Sequence, residues 1–482
     1  MRVPKLADPG NVRSTIDSPP FAATGLVLSI FVVLMGATWF QHTDVGDAQL
    51  YQVIARHMVQ DDRWTSLRYL PTVHSRFYEH LPFGFWVIAA TIRWVGSWAV
   101  VPLFAVLSLG IVLFTGIISR RLGGGWAGCI AMLVLGTTEA FFFQTSYPTL
   151  DPLLILLAVG AAVPVLTEPL RHRDWLLASA LAGAAIAVKG PFGALPLAGA
   201  VVARAVVDRS WRTFFIGGAA LLLATAPVAA FLYSHPDWWR GYAVDQVLGS
   251  LTGVRRDGDS HPLYAVRAIA GRFWPWFPLL IPALIVALQW PRGLARRLQG
   301  ETRACRLLVI ATAVVIVGLS IPQRKLWHHT LLVYPFLSIL AAQGIGPLVS
   351  RYLSNSERVQ RAVLGLGVVL LVCVGSVGLG LGRLLMNPPC VVATDFSREL
   401  SRLVPGEEVL VISKVDEWDM LSALAFEKDV VPWPGLQLTA VDRPSAQVAL
   451  VKTEAWSPGA EWREIKRARG WIVASRSDPT PR

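Results

Sequence analysis

Residues 21–48 read FAATGLVLSIFVVLMGATWFQHTDVGDA, and this stretch decides the fold. Positions 21–40 are an uninterrupted apolar run, long enough to cross a hydrocarbon core of about 30 Å. The polar segment His42-Thr43-Asp44-Val45-Gly46-Asp47 follows immediately. Carboxylates this close to a membrane span are costly unless they serve a purpose. The run lacks a small-residue cleavage site and further spans come after it, so it reads as a retained first helix rather than a signal peptide.

Composition agrees with a membrane protein. The 482-residue chain is 54% hydrophobic and 16% charged, against about 25% charged residues in soluble domains. The formal net charge of +12 suggests nucleic-acid binding until it is divided along the chain. Residues 387–482 hold 12 Lys+Arg and 14 Asp+Glu, whereas residues 1–386 hold 32 and 18. The excess lies in short loops between apolar runs, which is the positive-inside pattern and not a nucleic-acid surface. Tryptophans gather at the ends of the runs, as interfacial belts do. Four cysteines show neither metal-ligand spacing nor a disulfide framework.

The expected fold is an all-α polytopic membrane bundle with about 11 full spans and interfacial helices. The spans fall at 21–40, 98–118, 126–144, 149–167, 175–190, 191–207, 213–233, 274–290, 306–321, 330–349 and 362–386. Residues 1–20 form a cytoplasmic tail, 21–386 the membrane domain, and 387–482 a small α/β extracytoplasmic domain. In that last domain strands are expected at 409–413, 446–452 and 471–474, and helices at 394–403 and 417–426. With the N-terminus inside, every inside loop is basic. The apolar segment 82–96 is too short to cross and is expected to lie along the interface or re-enter. The outside face then collects the 41–97 loop, the start of the span at Asp151, the Lys189-Gly190-Pro191 turn, the loop 234–273 and the stretch 322–329.

Each candidate residue on that face has a structural reading and a chemical one. Asp47 opens a helix whose apolar stripe is Leu50, Ile54 and Met58. It either caps that helix or acts as a general base. The D-x-x-D spacing of Asp44 and Asp47 differs from the D-x-D of divalent-cation clamps, so a metal is weakly supported and no cofactor is called for. Glu79 and His80 precede Pro82; they are a solvated loop pair, or a carboxylate and a pH-sensitive group facing an anion. Asp151 precedes Pro152 and either starts a helix or faces the same site as Asp47. Lys189 either snorkels to the interface or is a cation at a cavity wall. Arg324, Lys325, His328 and His329 form the densest cationic cluster, expected to face phosphate rather than metal. Of the basic residues in 234–273, Arg272 stands nearest the membrane.

The ordered set resembles the membrane glycosyltransferases of the GT-C class, the bacterial relatives of protein O-mannosyltransferases and of the aminoarabinose transferase ArnT. The matching pieces are Asp47 with Tyr51 and Arg56, Tyr78-Glu79-His80-Leu81-Pro82, Asp151, Lys189-Gly190-Pro191, Pro275-Trp276, and Lys325-Leu326 with His329 and Pro335. They cover about residues 20–350 in the family's order. The resemblance implies a polyprenyl-phosphate-linked sugar as donor and a lipid, glycan or protein acceptor. It implies an active site at the extracytoplasmic mouth, in a bacterial inner membrane. By carry-over, Asp47 and Asp151 are the active-site carboxylates and Glu79 lines the site, while Lys189 and His329 contact substrate. Three positions depart from the family: Ala48 follows Asp47 where Glu is usual, His80 replaces the phosphate-binding Lys, and His329 replaces an aromatic. A transporter or flippase of lipid-linked sugars is the alternative reading.

Overall fold

The computed structural model describes residues 47–69, 76–145, 147–167, 170–255, 258–289 and 302–354, positions 24, 27, 28, 31 and 32, and five strands between 409 and 476. Helix dominates the described residues. Helix α1 (Asp47–Gln60) starts at an acidic residue, which suits the positive end of the helix dipole. Leu50, Ile54 and Met58 are buried, as their spacing predicts. Helix α2 (Pro82–Trp94) has proline in its first turn and ends after 13 residues. At about 1.5 Å per residue it is roughly 20 Å long, too short to cross a bilayer core.

Helix α3 (Val100–Gly123) carries Arg120 and Arg121 in its last turn. The span expected at 126–144 is broken into α4 (Gly125–Gly136) and α5 (Glu139–Thr145). At the break, the Thr137 and Thr138 hydroxyls donate back to the Leu133 and Val134 carbonyls, an alternative to continuing the helix. Helices α6 (Leu150–Leu166), α7 (His172–Lys189) and α8 (Leu195–Val207) follow.

The apolar stretch His172–Val207 is 36 residues long. The 3-10 turn Gly190–Ala194 folds it back on itself: a side chain at Gly193 would collide with the backbone of Ala185 and Ile186. Helix α9 (Trp211–Ser234) is capped by the Ser210 hydroxyl, which accepts from the Thr213 amide at 3.2 Å. It rises beside α7, with the Ser179 hydroxyl donating to the Ala220 carbonyl and Gly183 against Ala224.

After α9 comes a π-helix, Trp239–Leu248. Helices α10 (Tyr264–Arg272) and α11 (Leu280–Leu288) are bent by 105° relative to one another. Within the span expected at 274–290 the chain is helical over Phe277–Leu288, and the bend falls at the break just before that helix, next to Pro275 and Pro278. Helices α12 (Thr302–Ser320) and α13 (Tyr334–Ser354) complete the helical part.

Four described helical stretches are long and apolar enough to cross a membrane, with His172–Val207 counted as one, or five with the bent pair counted as one span, and two shorter apolar helices accompany them. The protein is a multi-pass membrane protein of mostly helical fold. The span expected at 362–386, and most of 21–40, lie outside the described residues.

The strands form one small sheet in the order β2-β1-β3-β5-β4, with β1 Val409–Ile412, β2 Val430–Trp433, β3 Val448–Lys452, β4 Trp462–Ala468 and β5 Trp471–Arg476. Strand β1 is parallel to β2 and β3, while β5 is antiparallel to β3 and β4. The three expected strands are β1, β3 and β5. The two that sequence reasoning missed are the edges. Pro432 in β2 and the charged run Arg463, Glu464, Lys466, Arg467 in β4 hide a strand signal, and both devices belong on sheet edges. The helices expected at 394–403 and 417–426 lie outside the described residues.

Candidate active site

The start of α6 and the end of α7 meet at one end of the bundle. There the Lys189 Nζ donates to Asp151 Oδ1 at 2.5 Å, and the Gln144 Nε2 donates to Asp151 Oδ2 at 3.1 Å. The two charged side chains are 5% and 4% exposed. The helix ends favour this pair: a carboxylate in a first turn and an ammonium in a last turn both oppose the local dipole. Lys189 is therefore a cation fixed at a cavity wall, and it does not snorkel.

Beside the pair lies a cavity of about 270 Å³, mostly apolar in surface and polar through Glu79, His80, Lys189, Arg255, Arg324 and His329 in its lining. The loop before α2 brings Glu79 and His80. The Arg255 guanidinium reaches Glu79 Oε1 at 3.3 Å. His80 Nε2 and the Tyr51 hydroxyl share a hydrogen bond of 2.8 Å, and the rings of Tyr51 and Phe77 pack edge-on against it. Tyr51 lies one helical turn beyond Asp47, so a single helix presents both to the site.

Asp47 remains accessible to solvent at the start of α1, yet protein surrounds it on most sides. Loss of water raises its carboxyl above the usual range. Lys189 opposes that shift, Asp151 and Glu79 add to it, and Arg324 opposes it. Asp47 is thus within electrostatic reach of Lys189, Asp151, Glu79 and Arg324.

The histidines differ from expectation. His80, read as a protonated group facing an anion, is held well below the usual imidazole range by burial, with Lys189 adding to the effect. His328 is pushed down to about 4 by burial and Lys189. His329 is also held well below the usual imidazole range, by burial and then by His328. His80 and His329 line the cavity and His328 does not; all three are half-buried, and the lost hydration dominates. The expected cationic cluster at 324–329 reduces to Arg324 and Lys325. The His329 ring packs on Phe192 at 4.6 Å and on His328 at 4.7 Å.

Two expected contacts lie elsewhere. Lys325 donates from Nζ to the Ser260 carbonyl at 3.2 Å, and its backbone bridges Asp259. The Arg272 guanidinium lies 4.0 Å from the Trp327 ring centroid. Neither lines the polar cavity, whereas Arg255 from the same 234–273 loop does. Sequence reasoning passed over Arg255 because it stands among several loop arginines; only its contact with Glu79 distinguishes it. Among the described residues no group of three or more His, Cys, Asp or Glu side chains is arranged to hold a metal ion.

An apolar groove of about 700 Å³ adjoins the cavity. Its walls are Ile186 of α7, the turn at Gly190, Pro191 and Ala194, the α9 residues Thr225, Val228, Leu232 and Tyr233, and Trp239, Tyr242 and Val247 of the π-helix. Pro191, Tyr242 and Val247 line both spaces.

Neither a family model nor a curated protein sequence matches the chain. Solved structures do. The crystal structure of ArnT from Cupriavidus metallidurans bound to undecaprenyl phosphate superposes with a TM-score of 0.66 at 18% identity, covering 94% of this chain and 98% of that one. The apo structure of the same protein gives 0.64 at 20% identity, with the same coverage. At these identities the likeness is one of architecture, and it extends over nearly the whole of both chains. The chain has the fold of ArnT.

Proposed function

We propose that the protein is a membrane glycosyltransferase that moves a sugar from a polyprenyl-phosphate donor to an acceptor on the extracytoplasmic side of a bacterial inner membrane. One observation carries the reading: an apolar groove runs into a cavity whose lining includes Lys189, Arg255 and Arg324, beside the carboxylates of Glu79 and Asp151. A substrate with a long apolar chain and an anionic head fits that pair of spaces. Undecaprenyl phosphate, the ligand of the ArnT structure, has this chemistry.

In this reading Asp47 takes the proton from the acceptor hydroxyl as its oxygen bonds to the anomeric carbon. The bond from that carbon to the phosphate oxygen breaks, and polyprenyl phosphate leaves with the electron pair. A single displacement of this kind inverts the anomeric centre. Lys189, Arg255 and Arg324 stabilise the departing phosphate, and His80 and His329 offer neutral hydrogen-bond donors. Asp151 holds Lys189 in place, and Glu79 does the same for Arg255. The acceptor is a lipid, glycan or protein hydroxyl.

The test is Asp47→Asn in a deletion strain, read by mass spectrometry of envelope glycolipids and glycoproteins. The expected result is loss of one sugar modification while the lipid-linked donor still binds and distributes normally across the membrane. Undiminished transfer by the variant would overturn the reading. Unchanged modification together with a maldistributed donor in the deletion strain would favour a flippase.

A further inference from the structure

Tyr242 stands at the seam of the two spaces. It is 5% exposed and lines both the apolar groove and the polar cavity. Its hydroxyl lies over Gly190, directly beside Lys189. A Cβ at Gly190 would fall on that hydroxyl, and the backbone there has φ +72°. Glycine therefore meets two demands at once: a left-handed turn and room for a phenol.

The hydroxyl has no use inside the protein. Among the described residues Tyr242 Oη makes no hydrogen bond, and it is not sealed away from the cavity. Buried tyrosines ordinarily find a partner for this group. Burial also pushes the phenol's pKa up, so it remains a proton donor. The carrier element is a π-helix, a winding that recurs at functional sites.

We propose that Tyr242 recognises the head of the lipid donor: its hydroxyl donates a hydrogen bond to the phosphate of a polyprenyl phosphate whose chain lies in the apolar groove. The inference rests on the lipid-phosphate donor proposed above. The ring closes the groove and the hydroxyl marks its end, so one residue reads where the chain stops and the anion begins. An alcohol with the same chain fills the groove but offers no anionic oxygen at that point.

The experiment uses the full chain in lipid nanodiscs, with undecaprenyl phosphate and undecaprenol as probes. Tyr242→Phe removes one oxygen and keeps the ring. It should weaken undecaprenyl phosphate roughly three- to tenfold, the span of one net hydrogen bond, and leave undecaprenol unchanged. Gly190→Ala displaces the phenol without removing it and should produce the same selective loss. Equal binding of undecaprenyl phosphate by wild type and Tyr242→Phe overturns the proposal while the donor reading stands. So does full affinity in Gly190→Ala. An equal loss for both probes assigns the phenol to packing and overturns it too. A wild type that does not prefer the phosphate over the alcohol defeats the donor reading itself, and this inference with it.

Discussion

Asp151 and Lys189 come from antiparallel neighbours, α6 and α7, and meet as a buried ion pair 2.5 Å apart. Neither has another charged partner at that distance among the described residues. Breaking such a pair leaves one charge in a site that cannot hydrate it, at a cost of about 3–5 kcal/mol. Lys189→Met alone and Asp151→Leu alone should each lower the thermal midpoint sharply in detergent. The double variant should recover much of that loss, because an apolar pair of similar volume suits the site. It should recover no sugar transfer. A double variant as unstable as the sum of the single ones would count against a simple charge pair.

Asp47 carries a raised carboxyl, so its proton is held more tightly in the folded protein than in the unfolded chain. Stability from this group is present at low pH and is lost as pH rises from the ordinary carboxylate value through the raised one. At neutral pH the ionised carboxylate is therefore a net cost. Asp47→Asn should raise the thermal midpoint at pH 7 and flatten its acid-side pH dependence while abolishing transfer. The wild-type transfer rate should fall as pH drops through the raised value, above the usual carboxylate range of about 3.9. A variant less stable than wild type at pH 7 would contradict the assignment.

The half-buried histidines titrate the other way. The pKa of His80, His328 and His329 is lowered on folding, so the unfolded chain binds protons below about pH 6.5 that the folded protein refuses. Stability should decline as pH falls from there, by up to about 1.4 kcal/mol per pH unit for each histidine. For His328 the decline should end near its folded value of about 4. Thermal midpoints of wild type and His328→Gln between pH 4.5 and 8 check this, with the variant showing the shallower slope. Nitrogen NMR of labelled histidines should show no protonation step near pH 6.5 at these positions.

Arg255 and Arg272 share a loop region but not a role. Arg255 faces the polar cavity through Glu79, and Arg272 covers Trp327. Arg255→Ala should weaken undecaprenyl phosphate roughly ten- to hundredfold, as expected for a lost charge-assisted hydrogen bond. Its effect on stability should stay within about 1 kcal/mol, because the Glu79 pair is partly exposed. Arg272→Ala should change affinity little and cost about 0.5–1 kcal/mol of stability from the lost cation–π contact. The reverse ranking in a binding titration would move the phosphate site.

The sequence made some of this legible and hid the rest for definable reasons. Apolar periodicity and basic loops marked the helices and the short α2. Asp47, Asp151 and Lys189 were conspicuous because charge is rare beside spans. Their pairing was not, since nothing local says that residue 151 meets residue 189. Hydropathy marked the apolar run at 274–290 but not the bend just before Phe277, which is a property of the chain's path. His80 and the 328–329 pair were read as cations because burial, which neutralises them, is a tertiary property. Arg255 was one arginine among several until the fold set it against Glu79. In the sheet, β1, β3 and β5 carried a strand signal, while β2 and β4 were masked by the proline and charges that make them good edges.

Helix α9 forms one wall of the apolar groove, yet its most apolar window is only 28% buried, and Tyr233 at the groove's rim is 90% exposed. The groove therefore borders the lipid phase itself. A ligand arriving there is counted per lipid molecule rather than per litre. Its occupancy should follow its mole fraction in the surrounding membrane, so that adding inert phospholipid or detergent at constant total ligand should slow turnover like a competitive inhibitor. Kinetic constants for this protein would then carry meaning only in two-dimensional units.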